Sequence, residues 1–150
     1  MAIWQYTFLI LPNKAYTDLS VEGDLGTPKD FDAKTLWMYD RFSPNQFNFL
    51  SQLLPINKSW SKSIILFGKE DTNCVEISVE DSFVIDVSLR IDFTTDYTHL
   101  LTDIVEFCII KGFIMVDEQL NVVPLQVLEI VTLIEHSPQR KKFNILTKSS

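Results

Sequence analysis

The chain has 150 residues, of which 46% are hydrophobic and 12% aromatic, so it is long and apolar enough for one domain with its own core, and global disorder is excluded. Thirteen basic and twenty acidic residues give a formal net charge of −7. This argues against a protein that binds nucleic acid or an anionic membrane, because such proteins need a basic surface. We see no signal-peptide pattern and no apolar run of bilayer length, which favours a cytoplasmic location.

The N-terminal segment predicts a strand in the interior of a sheet. Trp4, Tyr6, Phe8 and Ile10 alternate on one face of residues 3–11, and the opposite face is also largely apolar. A strand with two apolar faces is expected to be central or covered on both sides.

Residues 13–34 predict a long, polar and acidic loop, because no clear hydrophobic period runs through them. Connections of this length are commonly functional, so this loop is the first place to look for a binding surface. The alternative is an ordinary surface excursion that contains a short edge strand over residues 16–21.

Residues 36–39 (LWMY) predict a short, buried strand. A helix is expected next, because Ser43, Pro44 and Gln46 have the spacing of a capping box. Apolar residues then recur on one face of this helix until Pro55 ends it.

Strict alternation over residues 75–93 predicts a β-hairpin, which follows a polar loop carrying Trp60 and a short strand over residues 64–67. The buried face of the hairpin consists of Val75, Ile77, Val79, Phe83, Ile85, Val87, Leu89, Ile91 and Phe93. Because both strands bury odd-numbered positions, facing residues must have numbers with an even sum. This predicts a three-residue turn around Asp81. Only Val84 interrupts the polar row.

An amphipathic helix is expected directly after the hairpin. Residues 94–96 (TTD) supply capping oxygens, and Lys111 and Gly112 suit the helix end. The apolar stripe of this helix consists of Tyr97, Leu100, Leu101, Ile104, Phe107 and Cys108.

The C-terminal part predicts a strand over residues 113–116, a turn, and a short return strand at residues 122–123. Pro124 then suits the first position of a helix that ends at His136. The buried stripe of that helix consists of Val127, Ile130, Val131 and Ile134, widened by Leu125, Leu128 and Leu133. Residues 139–150 predict a basic, partly frayed tail.

Together these elements predict an α+β fold for residues 1–150. We expect a single domain with a mostly antiparallel sheet of about five to six strands, and about three helices packed mainly on one face.

The sequence contains no pattern of residues that indicates catalysis. Nucleophilic catalysis needs a base beside a nucleophile and a third group to orient the base, and neither His99 nor His136 lies in such a motif. Cys74 and Cys108 have no CxxC spacing and are expected to be free, buried thiols, with a disulfide or a redox role as the alternative. We therefore expect no catalytic residue, no metal ligand and no cofactor. An enzyme whose site is assembled from dispersed carboxylates is kept as an alternative, and a pocket with shifted carboxyl pKa values would favour it.

Four carboxylates project from the polar face of the hairpin, together with Arg90. They are Glu76, Glu80, Asp86 and Asp92. Like charges at such positions repel unless a cation lies between them. Arg90 supplies one, so a solvated face compensated by arginine is favoured over a calcium site.

The C-terminal half resembles a known kind of bacterial protein. The segments SVEDSFVIDVSLRIDF, DYTHLLTDIVEFCIIKG, FIMVDEQLNVVPLQ and IEHSPQRKKF carry the resemblance, including the "SxRID" strand at residues 88–92. They resemble small bacterial proteins encoded singly or beside secreted polymorphic toxins, where such proteins act as immunity proteins. The resemblance implies a non-enzymatic α+β protein that occludes the active surface of a toxin. No binding residue is carried over, because the shared pattern is core and turn.

An acidic surface suits that role if the cognate toxin is a basic nuclease, because carboxylates replace phosphates and speed association. The candidate partner-binding residues on the loop are Asp18, Glu22, Asp24, Asp30 and Asp32. Those on the sheet are Glu76, Glu80, Asp86 and Asp92. The alternative function is a structural or regulatory homo-oligomer whose exposed aromatic residues pair with another copy.

Overall fold

The computed structural model describes residues 2–22 and 31–148. Within them, seven strands form one antiparallel sheet, accompanied by five α-helices and one 3₁₀-helix. The strands are β1 Gln5–Pro12, β2 Ile56–Asn57, β3 Ile64–Gly68, β4 Cys74–Glu80, β5 Phe83–Asp92, β6 Phe113–Val116 and β7 Val122–Val123. The helices are α1 Asn13–Glu22, α2 Ala33–Asp40, the 3₁₀-helix Pro44–Gln52, α3 Thr98–Lys111, α4 Val127–Glu135 and α5 Pro138–Lys148. The predicted α+β class and antiparallel sheet are confirmed, whereas the predicted numbers of strands and helices were too small.

The order of strands in the sheet is β2-β3-β4-β5-β1-β6-β7. β1 therefore lies between β5 and β6, which confirms its predicted interior position. Gln5 on this strand is fully buried, and its Nε2 donates to the carbonyl oxygen of Glu70 at 2.9 Å. This hydrogen bond ties the loop before β4 to the middle of the sheet.

The hairpin β4–β5 has a two-residue turn, so the predicted three-residue turn was wrong. Asp81 and Ser82 occupy the turn with φ angles of 51° and 70°, as a type I′ turn requires. A β-bulge at Ser78 and Val79 shifts the pairing by one residue. Residues near the turn therefore pair with numbers of odd sum, which a two-residue turn requires and strict alternation had excluded. Val84, which interrupted the polar row, consequently faces the core and is fully buried.

Two helices occupy described parts of the segment after β1, where a loop over residues 13–34 and a strand over residues 36–39 were predicted; residues 23–30 of that loop lie outside the described residues. α1 covers residues 13–22, including the predicted edge strand, and buries Ala15 and Leu19 one turn apart. α2 covers LWMY and begins after Asp32, whose Oδ1 accepts a hydrogen bond from the Lys34 N–H at 3.0 Å. A four-residue apolar run has no period of its own, so its side-chain capping and packing decide its conformation.

The helix predicted after Ser43 is present, but it is a 3₁₀-helix without the capping box. Ser43 Oγ accepts from the Asn45 N–H at 3.2 Å. The Gln46 side chain instead accepts from Lys111 Nζ, also at 3.2 Å, which joins the 3₁₀-helix to the end of α3.

Helix α3 is confirmed, including its end. Gly112 adopts φ 74°, and its N–H bonds to the carbonyl oxygens of Cys108 and Ile109. Glycine reaches this left-handed conformation without the steric cost that a side chain adds.

The last two helices differ from the prediction. α4 begins at Val127 rather than at Pro124, and Leu128, predicted to be buried, is 80% exposed. Residues 139–148, most of the segment predicted to be a partly frayed tail, belong to α5. Ser137 caps this helix by accepting from the Arg140 N–H at 3.1 Å, a role that Ser-Pro sequences often have.

The aromatic part of the core lies on one face of the sheet, whereas Leu11 and Val116 are buried on the other face. Trp37 is fully buried, its ring centroid lies 5.1 Å from that of Phe113, and its Nε1 donates to the Ile10 carbonyl at 3.1 Å. Phe47 stacks on Phe113 with a centroid distance of 5.6 Å. These contacts fix α2, the 3₁₀-helix and β6 relative to one another.

Candidate functional site

The sheet has a polar face opposite its aromatic core. In an antiparallel sheet, directly paired residues project to the same side. The register therefore collects six polar residues on one face, which we call the polar face: Thr7, Glu76, Ser78, Asp86, Ser88 and Arg90. All six are half-buried, so this face is shielded from water more than a solvated sheet face is.

Arg90 neutralises one of the carboxylates on this face. Arg90 Nη2 lies 3.0 Å from Glu76 Oε1, and only 20% and 14% of the two side chains are exposed. Arg90 Nη1 also donates to the Glu70 carbonyl at 3.4 Å. The expected compensation by arginine is thus present at Glu76.

Asp86 is a half-buried carboxylate without such a partner. Its Oδ1 is buried and accepts no hydrogen bond within the described part of the chain. Burial raises the pKa of Asp86, the Val87 N–H partly opposes this rise, and the nearby charges of Glu76 and Asp32 add to it. Without a binding partner, the protein therefore disfavours the charged form of Asp86.

A groove of ≈ 460 Å³ runs past Asp86 and brings the N-terminus of α2 to the polar face. Its lining includes Asp32, Lys34, Leu9 and Asp86. Lys34 Nζ forms an ion pair of 2.8 Å with Glu80 Oε2, and both side chains are about half exposed. Asp32 reaches the site because the chain turns into α2 at this residue.

The structure thus brings together one predicted loop residue and three predicted sheet residues. We call these four the acidic site: Asp32, Glu76, Glu80 and Asp86. Glu76 and Glu80 each have a cationic partner, so Asp32 and Asp86 supply the carboxylates that a positively charged ligand group would meet.

The other predicted partner-binding residues lie elsewhere. Asp18 accepts a hydrogen bond from Tyr39 Oη at 2.8 Å, between α1 and α2. Asp92 is only 5% exposed and accepts from the Thr94 N–H at 2.9 Å, so we correct its role from partner contact to turn cap. The side chain of Glu22 and the whole of Asp24 and Asp30 lie outside the described residues.

Both histidines have exposed side chains that contact their own helix. His99 Nε2 lies 3.6 Å from Asp103 Oδ2, and 94% of the His99 side chain is exposed. His136 Nδ1 lies 2.9 Å from the Thr132 carbonyl oxygen, at the end of α4. Across residues 2–22 and 31–148, no group of three or more His, Cys, Asp or Glu side chains is arranged to hold a metal ion.

Both thiols are buried and free, as expected. Burial raises the pKa of Cys74 to about 11 and that of Cys108 to about 12. Neither is therefore a thiolate near neutral pH.

Sequence reasoning missed a second concave surface. A groove of ≈ 360 Å³ lies between the 3₁₀-helix and α3, and its lining includes Phe49, Phe107 and Ile110. The sequence did carry a sign of this surface: Ile109 and Ile110 are apolar but lie outside the buried stripe of α3.

Comparison of the chain with protein-family models, curated proteins and solved structures found no match. Among the helices of the described residues, none combines the length and the apolarity needed to cross a membrane.

Proposed function

We propose that this protein is a non-enzymatic, cytoplasmic protein-binding module, and specifically an immunity- or antitoxin-like inhibitor that binds a basic cognate toxin at the acidic site. The observation that carries the proposal is Asp86. Its buried Oδ1 has no partner in the described residues, and the carboxylates of Asp32 and Glu76 lie near enough to raise its pKa. The Asp86 side chain lines the groove, so a positively charged side chain from a partner would pair with its carboxylate once the buried oxygen turns toward the groove, and would relieve the repulsion.

The energetics favour recognition over folding as the reason for this arrangement. A buried carboxylate that lacks a partner costs free energy, and such costs are commonly retained where function requires them. A guanidinium group suits Asp32 and Asp86, because it donates several hydrogen bonds in a plane and is weakly hydrated.

The charge of the whole chain supports a basic protein as the ligand. A net charge of −7 repels nucleic acids and attracts cationic proteins. Carboxylates that occupy the phosphate-binding surface of a nuclease would block its substrate and also speed association. The resemblance of the C-terminal half to immunity proteins points to the same class of partner.

The first experiment captures partners from the native cytosol with the tagged protein. We compare the wild type with Asp32→Asn/Asp86→Asn, in which asparagine retains the cap of α2 and the shape of both side chains. The matched control is Asp40→Asn/Asp71→Asn, which removes two charges from exposed positions outside the acidic site.

We expect the wild type and the control to retain one stoichiometric basic protein that raised salt releases. The site variant should bind it about tenfold more weakly or worse. Equal capture by the site variant and the control would exclude the acidic site as the binding surface.

A second experiment separates inhibition from mere binding. The captured protein is expressed in a bacterial host alone and together with the wild type or the site variant. The proposal requires growth arrest that the wild type relieves and the site variant does not. If the captured protein is harmless when expressed alone, the chain would still be a protein-binding module, but its function as a toxin inhibitor would be excluded.

The exposed apolar residues favour a second candidate function, a structural or regulatory homo-oligomer. Trp60 is 75% exposed, Ile110 is 73% exposed and Phe49 is 41% exposed. Residues of this kind are common at contacts between proteins. A captured eluate that contains only this chain, with the scattering mass of an oligomer, would favour this function.

A further inference from the structure

The groove between the 3₁₀-helix and α3 has an apolar floor that is open to solvent. Phe49 stacks on Phe107 with a centroid distance of 5.9 Å, and Ile110 lies beside them with 73% of its surface exposed. A concave apolar surface of this kind suits the apolar face of a helix.

The rim of the groove is acidic. Asp103 and Glu106 project from α3 one turn apart and line the groove, whereas Lys111, the one lysine among the described residues that line it, bonds through its Nζ to Gln46 Oε1 at 3.2 Å. An occupant with positive charges on both sides of an apolar residue would therefore complement the groove.

Helix α5 carries that pattern on its outer face. Lys141, Ile145 and Lys148 recur at helical spacing and are all exposed, with Ile145 at 68%. The inner face is held by Phe143, whose ring centroid lies 5.5 Å from that of Phe93.

The same inner face anchors α5 to the body of its own chain. Arg140 Nε lies 3.3 Å from Glu135 Oε2, and the guanidinium carbon lies 5.1 Å from the Phe93 ring centroid. Because these contacts keep the inner face occupied, the outer face of α5 remains available to a second molecule.

We propose that α5 of a second copy docks in this groove, and that two chains exchange the contact reciprocally as a symmetric dimer. Ile145 meets Phe49 and Ile110. Lys141 and Lys148 lie opposite Asp103 and Glu106 of the other copy. The chain carries both complementary surfaces, which identifies a second copy as the occupant. This interface shares no residue with the acidic site.

The test uses sedimentation equilibrium of the purified full chain over a wide concentration range. The groove variant is Asp103→Lys/Glu106→Lys, and the helix variant is Lys141→Glu/Lys148→Glu. Two controls make the same charge changes elsewhere on the surface. They are Asp40→Lys/Asp71→Lys and Lys58→Glu/Lys62→Glu, all at exposed positions.

We expect a wild-type dimer, and a dissociation constant raised about tenfold or more in each interface variant but not in the controls. An equimolar mixture of the groove and helix variants should form heterodimers, because the reversed charges then face each other at one contact and the native charges face each other at the other. Recovery in the mixture also shows that both variants are folded.

Three results would each overturn the proposal. They are a wild type that is monomeric at every concentration, interface variants that dimerise as tightly as the controls, and a mixture that stays monomeric. None of these results depends on the toxin partner, so they are distinguishable from a failure of the proposed function.

Discussion

Replacing Asp86 with asparagine should stabilise the folded protein near neutral pH. Asparagine has the same shape, keeps an oxygen that accepts from the Val87 N–H, and removes the repulsion from Glu76 and Asp32. The gain comes from removing a half-buried and repelled charge, because the amide NH2 of asparagine then occupies the position of the unpartnered oxygen; repulsion between partly solvated charges costs about 1 kcal/mol. We therefore expect the free energy of unfolding to rise by about 1 kcal/mol, which corresponds to about 2–4 °C in Tm for a chain of this size.

The gain should depend on pH with a definite sign. Because the pKa of Asp86 is raised in the folded protein, folding favours the protonated carboxyl. The penalty of the charged form is therefore absent below the unfolded-state pKa of about 3.9 and grows as pH rises through the folded-state pKa. The advantage of Asp86→Asn should be full near neutral pH and disappear on acidification.

Urea unfolding followed by tryptophan fluorescence measures this difference at several pH values. Asp71→Asn, at an exposed position, serves as the control and should change the free energy of unfolding by less than about 0.5 kcal/mol. A less stable Asp86→Asn protein at neutral pH, or a gain that does not vary with pH, would refute the reasoning. The same variant should bind the partner more weakly, because the negative charge that a cationic group of the partner would pair with is then absent.

Three further predictions concern the turn, the core and the thiols. Replacing Asp81 and Ser82 with Asn-Gly should raise the free energy of unfolding by about 1 kcal/mol, because both positions have positive φ. Trp37→Phe should lower it by about 2 kcal/mol, because the change leaves a cavity and removes the hydrogen bond of the fully buried indole. Cys74 and Cys108 should resist thiol reagents in the folded protein, because both are fully buried.

Chemical unfolding measures the first two changes, and mass spectrometry of labelled protein measures the third. Trp60→Phe, at a position that is 75% exposed, is the control for the core and should be nearly neutral. A destabilising Asn-Gly turn would contradict the assigned turn geometry. Equal losses at the two tryptophans would contradict the buried position of Trp37, and rapid labelling of folded protein near pH 8 would contradict the buried thiols.

The hairpin and α3 were predictable from sequence because each carries many repeats of one period. Alternation identified the two faces of β4 and of β5 from Val87 onward, whereas beyond the bulge Val84 takes the core position and Phe83 and Ile85, predicted to be buried, are only half-buried. The helical stripe from Tyr97 to Cys108 is buried or half-buried throughout. The turn was predicted wrongly because parity assumes a regular ladder. The bulge at Ser78 and Val79 breaks that assumption.

The acidic site was only partly predictable. Period two places Glu76 and Asp86 on one face, together with Arg90, and the sheet register keeps them there. Asp32 joins them through the return of the chain along α2, a tertiary contact that no local pattern encodes. Asp92 shares the alternation but lies at the strand end, where the turn to α3 takes up its carboxylate.

The sequence by itself determined the α+β class, the interior position of β1, and the elements whose periodic pattern extends over many residues. Local periodicity is encoded in the chain because each repeat adds to the same preference. Tertiary structure decided that the short apolar run in α2 is helical, that the predicted tail forms helix α5, and which carboxylates meet around Asp86. Those outcomes depend on contacts between distant segments, such as the packing of Trp37 on Phe113 and of Phe143 on Phe93, and such contacts exist only once the chain has folded.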